Sequence, residues 1–140
     1  MLLNEGADVD YNDDQGSTPL HWAVPEGHLE ASKVLLVHGA DPNSRDHYGN
    51  TAMHWTVPHP AIARLLVDYG AEVNAANDAG ESTLLWSTLA GKTDAVEMLI
   101  ELGANVNGVD QYKFTALHAA ALRGHDSIVR LLLQNGADAN

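Results

Sequence analysis

At 140 residues with 45% hydrophobic content, the chain has the length of one ordinary domain and enough apolar material for a continuous core. Nineteen Asp+Glu against seven Lys+Arg leave a formal net charge of −12, a field that repels phosphate backbones and argues against nucleic acid as a ligand. The absence of cysteine removes disulfides and thiolate chemistry, and the apolar runs are too short to span a bilayer, so membrane insertion is not expected.

Taken in chain order, the elements repeat. Gly-Ala followed by an acid or amide recurs at Gly6, Gly39, Gly70, Gly103 and Gly136, spaced by 33, 31, 33 and 33 residues. Thr or Ser at 18, 51, 82 and 115 keeps the same beat. Residues 1–12 read as the tail of one unit, followed by repeat 1 (13–45), repeat 2 (46–76, two residues short), repeat 3 (77–109) and repeat 4 (110–140). In repeat 1, Thr18 is an N-cap with Pro19 at the first helical position, and a short apolar helix runs to about Val24. Gly27-His28 makes a turn, a second helix covers about 29–38 with Ala31, Val34 and Leu35 on one face, and Gly39 closes it. Asp41-Pro42-Asn43 begins an extended arm that turns at Gly49 before Thr51 starts the next unit.

Thr18-Pro19-Leu20-His21-Trp22-Ala23 carries the full T-P-L-H-x-A signature of a 33-residue repeat. Thr51-Ala52-Met53-His54-Trp55-Thr56 and Thr115-Ala116-Leu117-His118-Ala119-Ala120 carry it in part, and Ser82-Thr83-Leu84-Leu85-Trp86-Ser87 is the most degenerate copy. On these residues the chain resembles the ankyrin repeat family over essentially its whole length. The resemblance implies an all-α solenoid of stacked helix–turn–helix units with projecting β-turn fingers. It also implies that inner helices and fingers line a concave groove where partner proteins dock.

Several departures from the pattern carry expectations of their own. Pro25 and Pro58 share one offset and should end the inner helices of repeats 1 and 2 early. The deletion in repeat 2 falls at Val57-Pro58-His59-Pro60, with Pro60 starting the outer helix; it is either a tolerated loss in a turn or a reshaped groove wall. Lys113 replaces the turn glycine kept at 16, 49 and 80, which predicts a different turn in the last finger. Without polar capping repeats at its ends, the chain is expected to be a piece of a longer array, or a monomer that pairs weakly end to end.

Candidate chemistry is sparse. His21, His54 and His118 in the signature, with His28 and His125 after the turns, resemble the structural hydrogen-bonders of ankyrin proteins; His38, His47 and His59 are expected to be simply exposed. No metal-ligand spacing, nucleophile elbow or phosphate loop is present, so no cofactor, metal or catalytic residue is expected and the chain is not read as an enzyme. Trp22, Trp55 and Trp86 share one offset and are expected to pack successive repeats together, the alternative being an aromatic strip open to the groove. Asn43 and Asn74 are ordinary turn asparagines or, by the resemblance, asparagines presented for β-hydroxylation.

Carrying the family's finger positions onto this chain implies a partner-binding set. It comprises Asp14, Gln15 and Ser17; His47, Tyr48 and Asn50; Asp78 and Glu81; and Gln111, Tyr112 and Phe114. Inner-helix ends add Glu26, His59, Leu89 and Arg123. Tyr48, Tyr112 and Phe114 are the expected anchors, with Asp14, Asp78 and Glu81 drawing basic groups from the partner. The expected function is a protein–protein interaction module, an adaptor or targeting segment; the alternative is a regulatory or structural segment of a larger enzyme, channel or scaffold. An intracellular, cytoplasmic location is expected.

Overall fold

The computed structural model describes residues 8–140, so the helix tail expected within residues 1–6 lies outside the described residues. The chain divides into two compact units, Met1–Glu72 and Val73–Asn140. In the first, α1 (Pro19–Ala23), α2 (Leu29–Val37), a 3₁₀ helix (Ala52–Thr56) and α3 (Pro60–Asp68) form two helix pairs. In the second, α4 (Thr83–Leu89) pairs with α5 (Thr93–Glu101), and α6 (Ala116–Arg123) with α7 (Asp126–Gln134).

Each inner helix starts on a hydroxyl. Thr18 Oγ1 accepts the His21 N–H, and His21 Nδ1 accepts the Thr18 N–H at 3.0 Å, so the third helical residue closes the capping box with imidazole in place of a carboxylate. Thr51 with His54 and Thr115 with His118 repeat the device. Ser82 caps α4, but Leu85 stands where the histidine would be and nothing returns to the cap. Proline then decides length: the inner helices of repeats 1 and 2 have five residues each, against seven and eight in repeats 3 and 4. Both helices end early, as the sequence predicts, although Val24 and Val57 before the prolines keep right-handed helical angles.

The shortened repeat 2 is accommodated in its turn: residues 57–59 join the 3₁₀ helix to α3, where residues 24–28 join α1 to α2 in repeat 1, and both inner helices keep five residues. Pro60 occupies the first turn of α3, as expected.

Outer helices close alike. Gly39 has φ 94°; its N–H reaches the Leu36 carbonyl and the Ala40 N–H reaches that of Leu35, a Schellman end. Gly70, Gly103 and Gly136 repeat it, each followed by alanine. Inner and outer helices meet over Leu20, Val24, Leu36, Met53, Ile62 and Leu66 in the first unit, and over Leu84, Val96, Leu99, Ile128 and Leu132 in the second. Two buried hydroxyls of α4, Thr83 Oγ1 and Ser87 Oγ, have no hydrogen-bond partner among the described residues.

Candidate partner-binding surface

Every finger is built on one side chain. Asp13 Oδ1 accepts the N–H groups of Gln15 and Ser17, at 2.9 and 3.0 Å. Asp46 does the same for Tyr48 and Asn50, Asn77 for Ala79 and Glu81, and Asp110 for Tyr112 and Phe114. An Asx side chain with this reach fixes the turn against solvent competition. Asp13, Asp46, Asn77 and Asp110 are therefore explained by turn chemistry.

Adjacent fingers join through the main chain within each unit. The Gln15 carbonyl accepts the His47 N–H at 2.9 Å, and the Ala79 carbonyl accepts that of Gln111 at 2.9 Å. The His47 ring lies over Gly16, where a Cβ would stand 2.5 Å from Cδ2. Glycine at 16 thus serves two needs, a φ of 76° and the close approach of the next finger.

The last finger corrects an expectation. Lys113 holds φ 62° and its N–H reaches the Asp110 carbonyl at 3.0 Å, matching the Gly16 N–H to Asp13 at 2.9 Å. The finger keeps the same turn rather than adopting another, and the lysine carries the strain. It is the one non-glycine residue with positive φ among the described residues.

The implied binding residues fall into three groups. Asp14, Gln15, His47, Tyr48, Asp78, Gln111, Tyr112, Glu26 and Arg123 are exposed, with Tyr48 at 66% and Tyr112 at 80%. Ser17, His59, Glu81, Leu89 and Phe114 are half-buried. Phe114 stacks on His118, ring centres 5.4 Å apart and 17° between planes. Asn50 is buried, contrary to the exposure its finger position implies, and its main-chain carbonyl accepts His21 Nε2 at 3.0 Å.

His59 also departs from expectation. Its ring covers Gly27 and its Nε2 donates to the Pro25 carbonyl at 2.9 Å, so it ties repeat 2 to the end of the repeat 1 inner helix instead of pointing into solvent. Glu81 is similarly engaged, its Oε1 accepting both Asn77 Nδ2 and Trp86 Nε1.

The tryptophans do not simply pack repeat on repeat. Trp22 is 62% exposed, with its indole N–H held 2.8 Å from Asp13 Oδ2; Trp86 is half-buried on its own finger acid. That hydrogen bond is the main reason the Asp13 carboxyl lies below its ordinary value of 3.8, helped by the Ser17 and Gln15 N–H groups and the His47 charge against a desolvation that raises it. Trp22 is therefore an oriented aromatic surface beside a carboxylate. Its exposure was legible only as the lesser alternative in the sequence, because one offset serves both a packed column and an open strip. Exposed Tyr11 was not singled out, though an aromatic in a polar turn is the signal for it.

No group of three or more His, Cys, Asp or Glu is placed to hold a metal ion among the described residues, and no helix among them is long and apolar enough to cross a membrane.

Capped helix pairs, Schellman closures and Asx-built fingers at one period define a helical repeat protein. The family model described as ankyrin repeats (3 copies) matches residues 1–77 and 58–140, which together span the chain. The chain belongs to the ankyrin repeat family, whose members are typically non-catalytic and generally act as protein–protein interaction modules. No curated protein matches it.

Proposed function

We propose that this chain is an adaptor or targeting module that binds one partner protein along the finger side of its repeats. The observation that carries this reading is the pair of tyrosines at equivalent finger positions, Tyr48 and Tyr112, both exposed and both held by an Asx turn. Large aromatic rings on rigid turns lose little entropy on binding and are the side chains most often found as interface anchors. Trp22 and Phe114 add aromatic surface, each on the same side as its finger. Asp14 and Asp78, exposed on fingers 1 and 3, add negative charge and favour a partner with a basic surface or segment.

Tyr48→Ala combined with Tyr112→Ala is the test. Affinity for a partner retrieved with the wild-type chain, measured by titration calorimetry, falls by about tenfold or more, with the far-UV circular dichroism unchanged. Unaltered affinity in the double variant removes the fingers from the site.

A further inference from the structure

Trp22 is a large exposed ring whose position is fixed by its polar edge. Its Nε1–H donates to Asp13 Oδ2 at 2.8 Å, while Asp13 Oδ1 accepts the Gln15 and Ser17 N–H groups. The indole is therefore tied to the same carboxylate that builds finger 1. At the same inner-helix offset Trp55 and Trp86 are half-buried and Ala119 is buried, so repeat 1 alone presents an open indole among the described residues.

This arrangement limits what the ring can recognise. Indole has one donor and no acceptor, and Asp13 already holds the donor. A peptide carbonyl therefore finds no N–H on this tryptophan. The π face is what remains open, and its negative quadrupole attracts cations. Donation of the N–H to an anion polarises the ring in the direction that strengthens this attraction. Of the roughly four lone-pair positions on a carboxylate, three are taken by these hydrogen bonds, and the remaining one is on Oδ2, the oxygen bonded to the indole.

The surrounding charge has the sign that a cation needs. Asp13, Asp14 and Glu26 are exposed, and residues 13–32 contain no Lys or Arg. Neither do residues 46–63, the finger and inner helix of the next repeat with the start of its outer helix. The matching stretches of repeats 3 and 4 differ, with Lys92 in one and Lys113 and Arg123 in the other.

We propose that Trp22 and Asp13 form a subsite for an arginine side chain of the partner protein, its guanidinium stacked on the indole face and one N–H donated to Asp13 Oδ2. Arginine fits this place better than lysine. Its planar head matches the ring face, its donors lie in that plane and it is more weakly hydrated than an ammonium. The inference rests on the reading of the chain as a partner-binding module and gives the chemistry of one residue in the partner's basic segment.

The test titrates a blocked peptide of alternating glycine and arginine into the 140-residue chain at low salt, with its lysine counterpart as control, and follows the indole N–H resonances. The arginine peptide shifts the Trp22 resonance saturably and binds about threefold or more tightly than the lysine peptide. Trp22→Leu, at an exposed position, lowers the affinity for the arginine peptide about fivefold and removes the preference over lysine. Asp13→Asn lowers it as well while the finger stays built, since Asn77 makes the same turn in repeat 3. No saturable shift, equal binding of the two peptides, unchanged affinity in Asp13→Asn, or an arginine preference that survives Trp22→Leu overturns the proposal. So does a dimer of the chain in sedimentation that Trp22→Leu disrupts, because an arginine of a second copy would then fill the subsite. The peptides are titrated without the partner and with Tyr48 and Tyr112 intact. Loss of the arginine preference thus removes this subsite alone, while unaltered partner affinity in the tyrosine double variant removes the fingers.

Discussion

Lys113 holds a backbone conformation that the other three fingers assign to glycine, at φ 62° against 76°, 76° and 79° for Gly16, Gly49 and Gly80. Left-handed φ costs a residue with a Cβ about 1 kcal/mol. Lys113→Gly therefore stabilises the chain by about 1 kcal/mol in urea unfolding, less the few tenths that glycine's extra unfolded freedom takes back. A destabilised variant would mean that the lysine side chain contributes more than its backbone costs. Asp13 supplies a second residue-scale outcome. Its folded pKa is depressed, so the stabilisation it gives is complete above the ordinary 3.8 and is lost as pH falls through the lower folded value. With Trp55→Phe and Trp86→Phe, indole emission reports Trp22 alone, and its acid transition centres below pH 3.8. A midpoint at or above that value would detach the indole from the carboxylate. Neither Asp13–Trp22 nor His59–Gly27 could be read from spacing, because each pairs residues from different elements whose approach only the fold sets.

Among the elements, the inner helices differ most. Their starts were legible, since hydroxyl, proline and histidine at fixed offsets act through local hydrogen bonds. Their early ends in repeats 1 and 2 were legible for the same reason, proline being a local constraint. The change of helix type in repeat 2 was not, because repeat 1 has the same proline offset and the same five-residue length in α form. The turn at Lys113 was misjudged on propensity, and the four ladder bonds around Asp110 outweigh that preference. The inner helix of repeat 3 is the one whose local chemistry conflicts with its place. α4 lacks the returning histidine and buries Thr83 Oγ1 and Ser87 Oγ without partners, where repeat 4 has Ala116 and Ala120. Ser87→Ala removes an unsatisfied buried hydroxyl and raises stability by about 1 kcal/mol. A loss of similar size would mean that the hydroxyl has a partner, such as a bound water.

At the scale of the whole chain, regular and irregular positions divide the work. Gly39, Gly70, Gly103 and Gly136, with Asn43, Asn74 and Asn107 each donating to the carbonyl of the next closing glycine, make a scaffold that any repeat of the family would need. The period exposes that scaffold in the sequence, because each unit meets the same physical demands. The residues proposed to face a partner vary from unit to unit: Tyr48 on finger 2, Tyr112 and Phe114 on finger 4, acids on 1 and 3, and a tryptophan open on the first inner helix. Exposure separates Asp14, Trp22, Tyr48, Asp78 and Tyr112 from their structural neighbours, and exposure depends on packing that spacing alone does not give. The most direct measurement of the finger reading is amide hydrogen exchange on the chain with and without its bound partner. Protection on binding falls at 13–17, 46–50, 77–81 and 110–114 and along the inner helices, while α2, α3, α5 and α7 exchange as before. Protection concentrated on those four outer helices, with the fingers unchanged, would contradict it.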